Sequence, residues 1–377
     1  MPYSSSGLRI PFIGLQKQYH NLRQEILDVT DQVLRTGQVM NGNWTVEFEA
    51  WLADRNGVQY AVTCHSGTQA LEIIAAYYKQ EHVNSHTPRV LLPALTYPAT
   101  ANAWARAGWG IHFVDVDRYG VMDTNSFPQL TEFDAVCPVG LYGAALSHNQ
   151  VYRSWSVLNL DISVLVEDAA QHWLSADGVR IGFASAISFD PTKNLGNYGN
   201  GGAILTDRLG LAEFAREWRD NGRLSRFSHD HPVTNSRMSE VDCAQLLVKT
   251  RHLDQWQQRR EKIAHYWIER LAASEIRCLI DDTNVQTHCF HKFVIDTNQR
   301  DRIARQMQIR GVETRVHYEL PLTEMDAYQQ YPGPGMLSKA AMLSRSVLSL
   351  PCYPELTDLE VEYIIDQLQD SYAEVHS

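Results

Sequence analysis

A chain of 377 residues with 44% hydrophobic and 10% aromatic residues is long enough for two lobes or one large α/β unit, and too apolar to be disordered. Asp and Glu outnumber Lys and Arg by 44 to 33, and the net charge of −11 speaks against a surface that holds a nucleic-acid backbone. The six cysteines are scattered without a CxxC, which indicates reduced thiols in a cytoplasmic protein rather than disulfides or a zinc site. The opening residues MPYSSSGLRIPFIGL carry no signal-like apolar run, and no stretch approaches the ~20 residues of a membrane span.

Helical spacing of Tyr19, Leu22, Ile26, Val29, Val33 and Leu34 predicts a helix over Gln16 to Thr36, stopped by Gly37. A second helix follows over Val46 to Leu52. Tyr60 to Cys64 reads as a buried strand that runs into Ser66-Gly67-Thr68 and a helix starting near Gln69. Strands at Arg89–Pro93, Ile111–Val116, Ala135–Val139 and Ser163–Val166 come next, with a helix over Ala99–Ala107. The acidic pair Glu167-Asp168 then closes the fourth of these strands. Ile187–Phe189 and Ala203–Thr206 complete the series. Short apolar strands alternating with helices predict an α/β domain with a mostly parallel sheet, whose ligands sit in the loops beyond the strand ends. After Val241 the pattern changes to one or two long charged helices up to Leu271. Strands at Phe290–Ile295 and Val312–Val316, a helix at Arg300–Arg310 and a last helix over Thr357–Leu368 follow. Residues 1–250 are thus expected to form a large lobe, and 251–377 a smaller α+β lobe.

Three loops carry residues suited to chemistry. Lys193 follows a buried strand in Ser188-Phe189-Asp190-Pro191-Thr192-Lys193-Asn194, ahead of a glycine-rich run. It is either a solvated loop lysine or a desolvated amine able to form a Schiff base with an aldehyde. Asp168 is either a turn or capping residue or the partner of a protonated pyridine nitrogen, which pyridoxal phosphate (PLP) requires. Ser66-Gly67-Thr68 is either a plain strand-to-helix turn or a phosphate site at a helix N-terminus. No Walker loop and no GxGxxG opens the first βα unit.

Taken in order, phosphate turn, acidic strand end and Ser-x4-Lys resemble the PLP-dependent enzymes of aspartate aminotransferase-like fold. More narrowly, the chain resembles the DegT/DnrJ/EryC/StrS sugar aminotransferases from Ile10 to about Leu368. The resemblance rests on Ile10–Leu15, Ser66–Leu71 (SGTQAL), Pro93–Asn102, Glu167–Gln171 (EDAAQ), Pro191–Gly196 (PTKNLG), Asn235–Met238 and Leu348–Pro351. It implies fold type I, with a large PLP-binding domain and a small C-terminal one. Lys193 would carry the Schiff base and shuttle the proton between the donor Cα and the cofactor. Asp168 would bind the pyridine nitrogen, and Gln171 the phenolic oxygen. Tyr97 would stack on the ring, while Gly67, Thr68 and Ser188 would hold the phosphate. In a homodimer with shared sites, Asn235 would reach the neighbouring subunit's phosphate. His317 and Tyr318 would lie near the sugar.

The implied reaction moves an amino group from an amino acid, most often glutamate, to C3 or C4 of a nucleotide-diphosphate keto sugar. A sugar dehydratase of the same fold is disfavoured because the family's dehydratases lose the lysine that this chain keeps. A non-catalytic binding or regulatory protein is the other alternative. Some positions depart from the family pattern. Asp190 is either a surface residue or one that bears on substrate choice. His172-Trp173 stands where small residues are usual, which leaves the floor of the sugar pocket open. Thr323 replaces a frequent His. The pairs His82/His86 and His229/His231 lack a third ligand at useful spacing, so no metal is expected there. Trp256, Arg259 and Arg260 read as a helix face packed on the large lobe.

Overall fold

The computed structural model describes residues 9–82, 87–128, 133–146, 165–176, 178–179, 182–229, 232–280, 284–335 and 338–376. Helix α1 (Leu15–Thr36) buries Leu22, Ile26, Val29 and Val33 of the face its spacing predicts against Ala244 and Val248, while Tyr19 and Leu34 of that set stay exposed. Gly37 ends it at φ 70°, the left-handed conformation that a residue without Cβ adopts at least cost. Helix α2 (Asn43–Asn56) is longer than its apolar residues suggested. Its first turn is held from afar. The Glu240 carboxylate accepts from the Trp44 and Thr45 amides at 2.9 and 3.1 Å, doing the work of a capping side chain.

The central strands are β1 (Tyr60–Cys64), β2 (Arg89–Pro93), β3 (Gly110–Val114), β4 (Ala135–Val136), β5 (Val166–Asp168), β6 (Ala184–Ser188) and β7 (Gly202–Thr206). They form the orders β3-β2-β4 and β1-β7-β6-β5, and parallel bridges from Val136 to Leu165 and Val139 to Asp168 join the two. Pairing is parallel between β2 and both its neighbours and between β5 and β6, whereas β7 runs antiparallel between β1 and β6. The expected mostly parallel sheet is present, with β7 reversed because the loop 189–201 brings the chain back to pair beside β6. One boundary is corrected: Glu167 and Asp168 belong to β5 rather than following it.

This topology puts the ends of β1, β2, β5 and β6 on one edge, and the loops after them converge there. Helix α3 (Gly67–His82) starts directly after β1, and α4 (Pro98–Arg106) follows β2. Beyond them lie a helix at Leu209–Trp218 and a hairpin of Arg223–Ser225 with Ser228–His229, neither of which the sequence pattern flagged.

In the C-terminal part the charged stretch forms two helices, Glu240–Thr250 and Leu253–Leu271. Helices Arg300–Ile309, Lys339–Ser346 and Asp358–His376 surround an antiparallel sheet of Arg277–Cys278, Phe293–Asp296 and Val347–Leu350. The Thr357 hydroxyl accepts from the Glu360 amide at 3.2 Å and Glu360 returns the bond, a reciprocal cap for the last helix. Two expected strands are corrected. The one placed at Phe290–Ile295 begins only at Phe293, since Phe290 turns the chain at φ 49°. Val312–Val316 makes only isolated bridges, to Ile10 and, through Arg315, to Ser349. Trp267, Phe293, Ile303 and Ile364 centre the second core, which Ile10 joins from the N-terminal arm. No helix among the described residues is long and apolar enough to cross a membrane.

Across the sheet, Cys64, Gly202 and Ser188 share one register row. The turn after β1 crosses this row so closely that a Cβ on Gly202 would lie 2.3 Å from the Ser66 carbonyl carbon. A Cβ on Gly67 would lie 2.9 Å from that of Ser188. Gly202→Ala is therefore expected to cost about 1–3 kcal/mol, as overpacking against backbone does. Gly199→Ala, whose nearest contact would be 3.8 Å away, serves as the control. Thermal denaturation of the two variants checks this, and equal melting temperatures would refute it.

Candidate active site

At the edge where the loops meet, Asp168 is 5% exposed at the end of β5. The Thr100 hydroxyl on α4 donates to its Oδ2 at 2.7 Å, and the Ala170 amide to Oδ1 at 3.2 Å. Thr96 in turn contacts the Thr100 hydroxyl at 3.1 Å. Both carboxylate oxygens are thus aimed by neighbours, and no cation is paired with them among the described residues. Lys193 sits across from this carboxylate. Its side chain is half-buried and its amine forms no hydrogen bond or ion pair among the described residues. Burial holds that amine below the ordinary lysine value, while the nearby Asp168 and Asp190 charges pull the other way.

The loop that presents Lys193 is tied at several points. Asp190 is half-buried rather than a free surface group. Its Oδ1 accepts from the Thr192 amide at 3.0 Å and the Thr192 hydroxyl at 2.6 Å, and its carbonyl accepts from the Lys193 amide at 2.9 Å. The Phe189 carbonyl accepts from Asn197, and the Asn194 side chain donates to the Cys289 carbonyl at 2.8 Å. The Asn194 carboxamide oxygen faces His291 Nδ1 at 3.3 Å.

Beside the loop, the first-turn amides of Gly67 and Thr68 have no preceding helical turn to bond to. Ser188 lies next to them, and its hydroxyl accepts from the Asp190 amide at 3.2 Å. Gln171 completes the group from the other side. Its Oε1 accepts from the Tyr142 amide at 2.9 Å and its Nε2 lies 3.2 Å from the Tyr318 hydroxyl. The Tyr318 ring stands 5.8 Å from that of Tyr97, which is exposed at the head of α4. His317 Nδ1 meets the Ser349 hydroxyl at 2.8 Å, and burial lowers its pKa to about 3. Lys193, Asp168, Gln171, Tyr318, Ser188, Gly67 and Thr68 therefore converge. Asn235 does not join them within this chain; it is exposed and accepts from Arg237 Nε at 3.0 Å.

Several groups here had no role in the sequence reading. Thr100 lies inside the Pro93–Asn102 segment, where only Tyr97 was singled out. Tyr142 orients Gln171 from a backbone at φ 64°, a conformation with no sequence signal in a non-glycine residue. His172 is fully buried, with Nε2 3.7 Å from Glu167 Oε1, so it offers no surface to a sugar. Arg260 is not a packed surface cation either, since it is 6% exposed and donates to the Cys352 and Phe290 carbonyls. Of the histidine pairs, His86 and His231 lie outside the described residues, as does the side chain of His82.

With this geometry in hand, comparison with known proteins is direct. The model of the DegT/DnrJ/EryC1/StrS aminotransferase family matches residues 20–369. The chain belongs to this family. A dTDP-3-amino-3,4,6-trideoxy-alpha-D-glucose transaminase of Streptomyces venezuelae is 32% identical over 96% of both chains. A protein of Geobacillus stearothermophilus named as a pleiotropic regulatory protein is 30% identical over 97% of this chain and 99% of its own. The crystal structure of S. venezuelae DesV, in complex with a ketimine intermediate, superposes with a TM-score of 0.87 at 30% identity, covering 97% of this chain and 99% of that one. The fold is that of the sugar aminotransferases, and membership makes the chain an enzyme of the aminotransferase class.

In this family member the glycine-rich run after Lys193 rests on a second lysine. Lys249, fully buried on the helix Glu240–Thr250, donates to the Gly196 carbonyl at 2.5 Å and lies 3.5 Å from the Tyr198 ring centroid. Burial draws its pKa down to about 7, against a weaker pull upward from Glu355. Between that value and 10.5 the unfolded chain binds a proton the folded chain lacks, so stability rises with pH across this window. Below about pH 7 the penalty of the buried charge is complete. Relative to Lys249→Met, the wild type should gain on the order of a few kcal/mol from pH 6 to pH 10 in urea denaturation. A stability difference that does not change with pH would contradict this.

Proposed function

We propose that the chain is a PLP-dependent aminotransferase that moves an amino group from an amino acid to a nucleotide-linked keto sugar. The observation that carries this reading is the unpaired amine of half-buried Lys193 held beside the doubly oriented Asp168 carboxylate at the mouth of a helix N-terminus. The donor set fits the cofactor on its own terms. A buried carboxylate with no cationic partner suits a protonated pyridine nitrogen, and first-turn amides without a helical acceptor beside a serine suit a phosphate. Bound there, PLP supplies an aldehyde for amine attachment and a ring that withdraws electrons from the reacting carbon.

The residues would divide the work as follows. Gly67, Thr68 and Ser188 hold the phosphate, Asp168 keeps the proton on the ring nitrogen, and Gln171 bonds the ring oxygen. Tyr97 covers the ring face. Lys193 takes the proton from the donor Cα and later delivers one to the sugar carbon that receives the amine. Burial lowers its pKa, the direction that favours proton acceptance by the amine. The sugar nucleotide supplies binding energy remote from the reacting carbon, with His317 and Tyr318 beside the sugar. A homodimer would place Asn235 at the neighbouring subunit's phosphate. The six unpaired cysteines support a reducing, cytoplasmic setting. The substrate name borne by the S. venezuelae relative supports the sugar assignment, and L-glutamate is the donor of choice for testing.

A regulatory reading draws support from the name of the G. stearothermophilus relative. The same experiment separates the two. Purified protein with PLP should show a visible absorption band that excess L-glutamate bleaches, and Lys193→Ala should form no such band. Asp168→Asn should retain binding yet lose at least a hundredfold in half-reaction rate, since the ring nitrogen loses its charged partner. A band that no amino donor alters would refute the aminotransferase reading.

A further inference from the structure

Behind the Lys193 turn, the basic side chains of Lys193, Lys292 and Arg260 gather, with the Asp190 and Glu355 carboxylates acting on them only beyond hydrogen-bond range. A narrow cavity of about 30 Å3 lies between the N-terminal arm, the Pro191–Lys193 turn and the C-terminal residues; Phe12, Lys193, Arg260, His291, Lys292 and Glu355 are among its walls. Lys292 is 6% exposed, and among the described residues its ammonium makes no hydrogen bond or ion pair. It lies 5.0 Å from the Phe12 ring centroid, and Arg315 lies 5.2 Å from the centroid of that ring. Arg260 spends Nη1 on two carbonyls, yet its Nε is buried without a partner.

The acids nearby are committed elsewhere. Asp190 is bonded to Thr192, and Glu313 to Arg315 and the Phe12 amide. Glu355 lines the cavity and its Oε1 accepts from Gln18; burial raises its pKa, while Gln18, Arg260 and Lys249 pull it down. Burial, reinforced by Lys193 and Arg260 and opposed by Asp190, holds the Lys292 amine well below its ordinary value. Two buried cationic side chains with unmet donors are costly to keep in a fold. An arriving anion would complete both.

Size and position narrow the anion. A space of about 30 Å3 admits roughly two water-sized groups, enough for the two oxygens of a carboxylate and too little for a diphosphate. Lys193 shares the cavity wall, so an anion held there stands next to the reactive amine. In an amino acid, the carboxylate sits one bond from the carbon that bears the amine. We infer that Lys292 and Arg260 bind the α-carboxylate of the amino donor and thereby turn its Cα proton toward Lys193. This rests on the aminotransferase reading above and adds the donor-recognising residues to it.

Lys292→Met, an apolar side chain of similar length, provides the test in cofactor-loaded protein. Wild type and variant are titrated with L-glutamate and with its α-amide, and the absorbance change gives an apparent Kd for each. The variant should weaken L-glutamate at least tenfold while leaving the weak binding of the α-amide unchanged. Succinate, a dicarboxylate without an amine, should raise the melting temperature of the wild type and not that of the variant. The unliganded variant should melt no lower than wild type, because an unpaired buried charge has been removed. If it does melt lower, Arg260→Met replaces it in the same titrations. Unchanged glutamate affinity, or an equal loss for glutamate and its α-amide, overturns the assignment while the aminotransferase reading stands. A wild type that responds to no amino donor removes that reading, and this inference with it.

Discussion

The closeness of Asp168 and Lys193 depends on the neighbouring, parallel placement of β5 and β6. In that register Asp168 faces Ala186, so β6 extends two residues further to Ser188 before the chain turns back toward the carboxylate through Lys193. A parallel pair needs a crossover between its strands, and here it frees both strand ends on the same edge for loops. Had β6 paired antiparallel to β5, the lysine would emerge at the opposite edge from the aspartate. The reversed β7 then closes the loop at once, with the Phe189 amide bonded to the Gly201 carbonyl at 2.8 Å.

Around that pair the structure separates charges that would otherwise neutralise one another. Asp168 receives hydroxyl and amide donors rather than an ammonium, and Asp190 is absorbed by its own turn. Arg260 is left with carbonyls and Lys292 with an aromatic face, while the Lys193 amine has neither among the described residues. Each of these arrangements costs stability that ordinary packing must offset, as in the two cores built on Trp104 and Trp267. Sites that handle charged reactants commonly carry such unsatisfied groups.

Much of this was legible in the sequence, for reasons that differ by residue. Motif positions such as Gly67, Asp168, Ser188 and Lys193 lie at strand ends, and alternating apolar runs locate strand ends well. The contacts that aim them were not legible. Thr100 reaches Asp168 across 68 positions, and Tyr142 reaches Gln171 across 29; periodicity does not report such distances. Lys292 was read into a strand because Phe290-His291-Lys292-Phe293 has strand composition. The left-handed turn at Phe290 breaks that strand and turns His291 and Lys292 to the cavity. Reversal of β7 is also invisible in composition, since a buried strand looks alike in either direction. The division of the helical stretch after Thr250 rests on two residues, Arg251 and His252, with no Gly or Pro to mark it.

The crowding of Gly67, Ser188 and Gly202 has a consequence for how this edge of the molecule can change. The turn after β1 meets the β6 and β7 strand ends there with no room for a methyl group on either glycine, so each position sets the limit for the other two. A bulkier residue at one becomes tolerable only when the backbone of its neighbour retreats, and that retreat would tilt the first turn of α3. Replacements at these positions should therefore act as one unit, their effects far from additive. Diversification of what the enzyme binds is left to the far wall, where side chains rather than main chains meet.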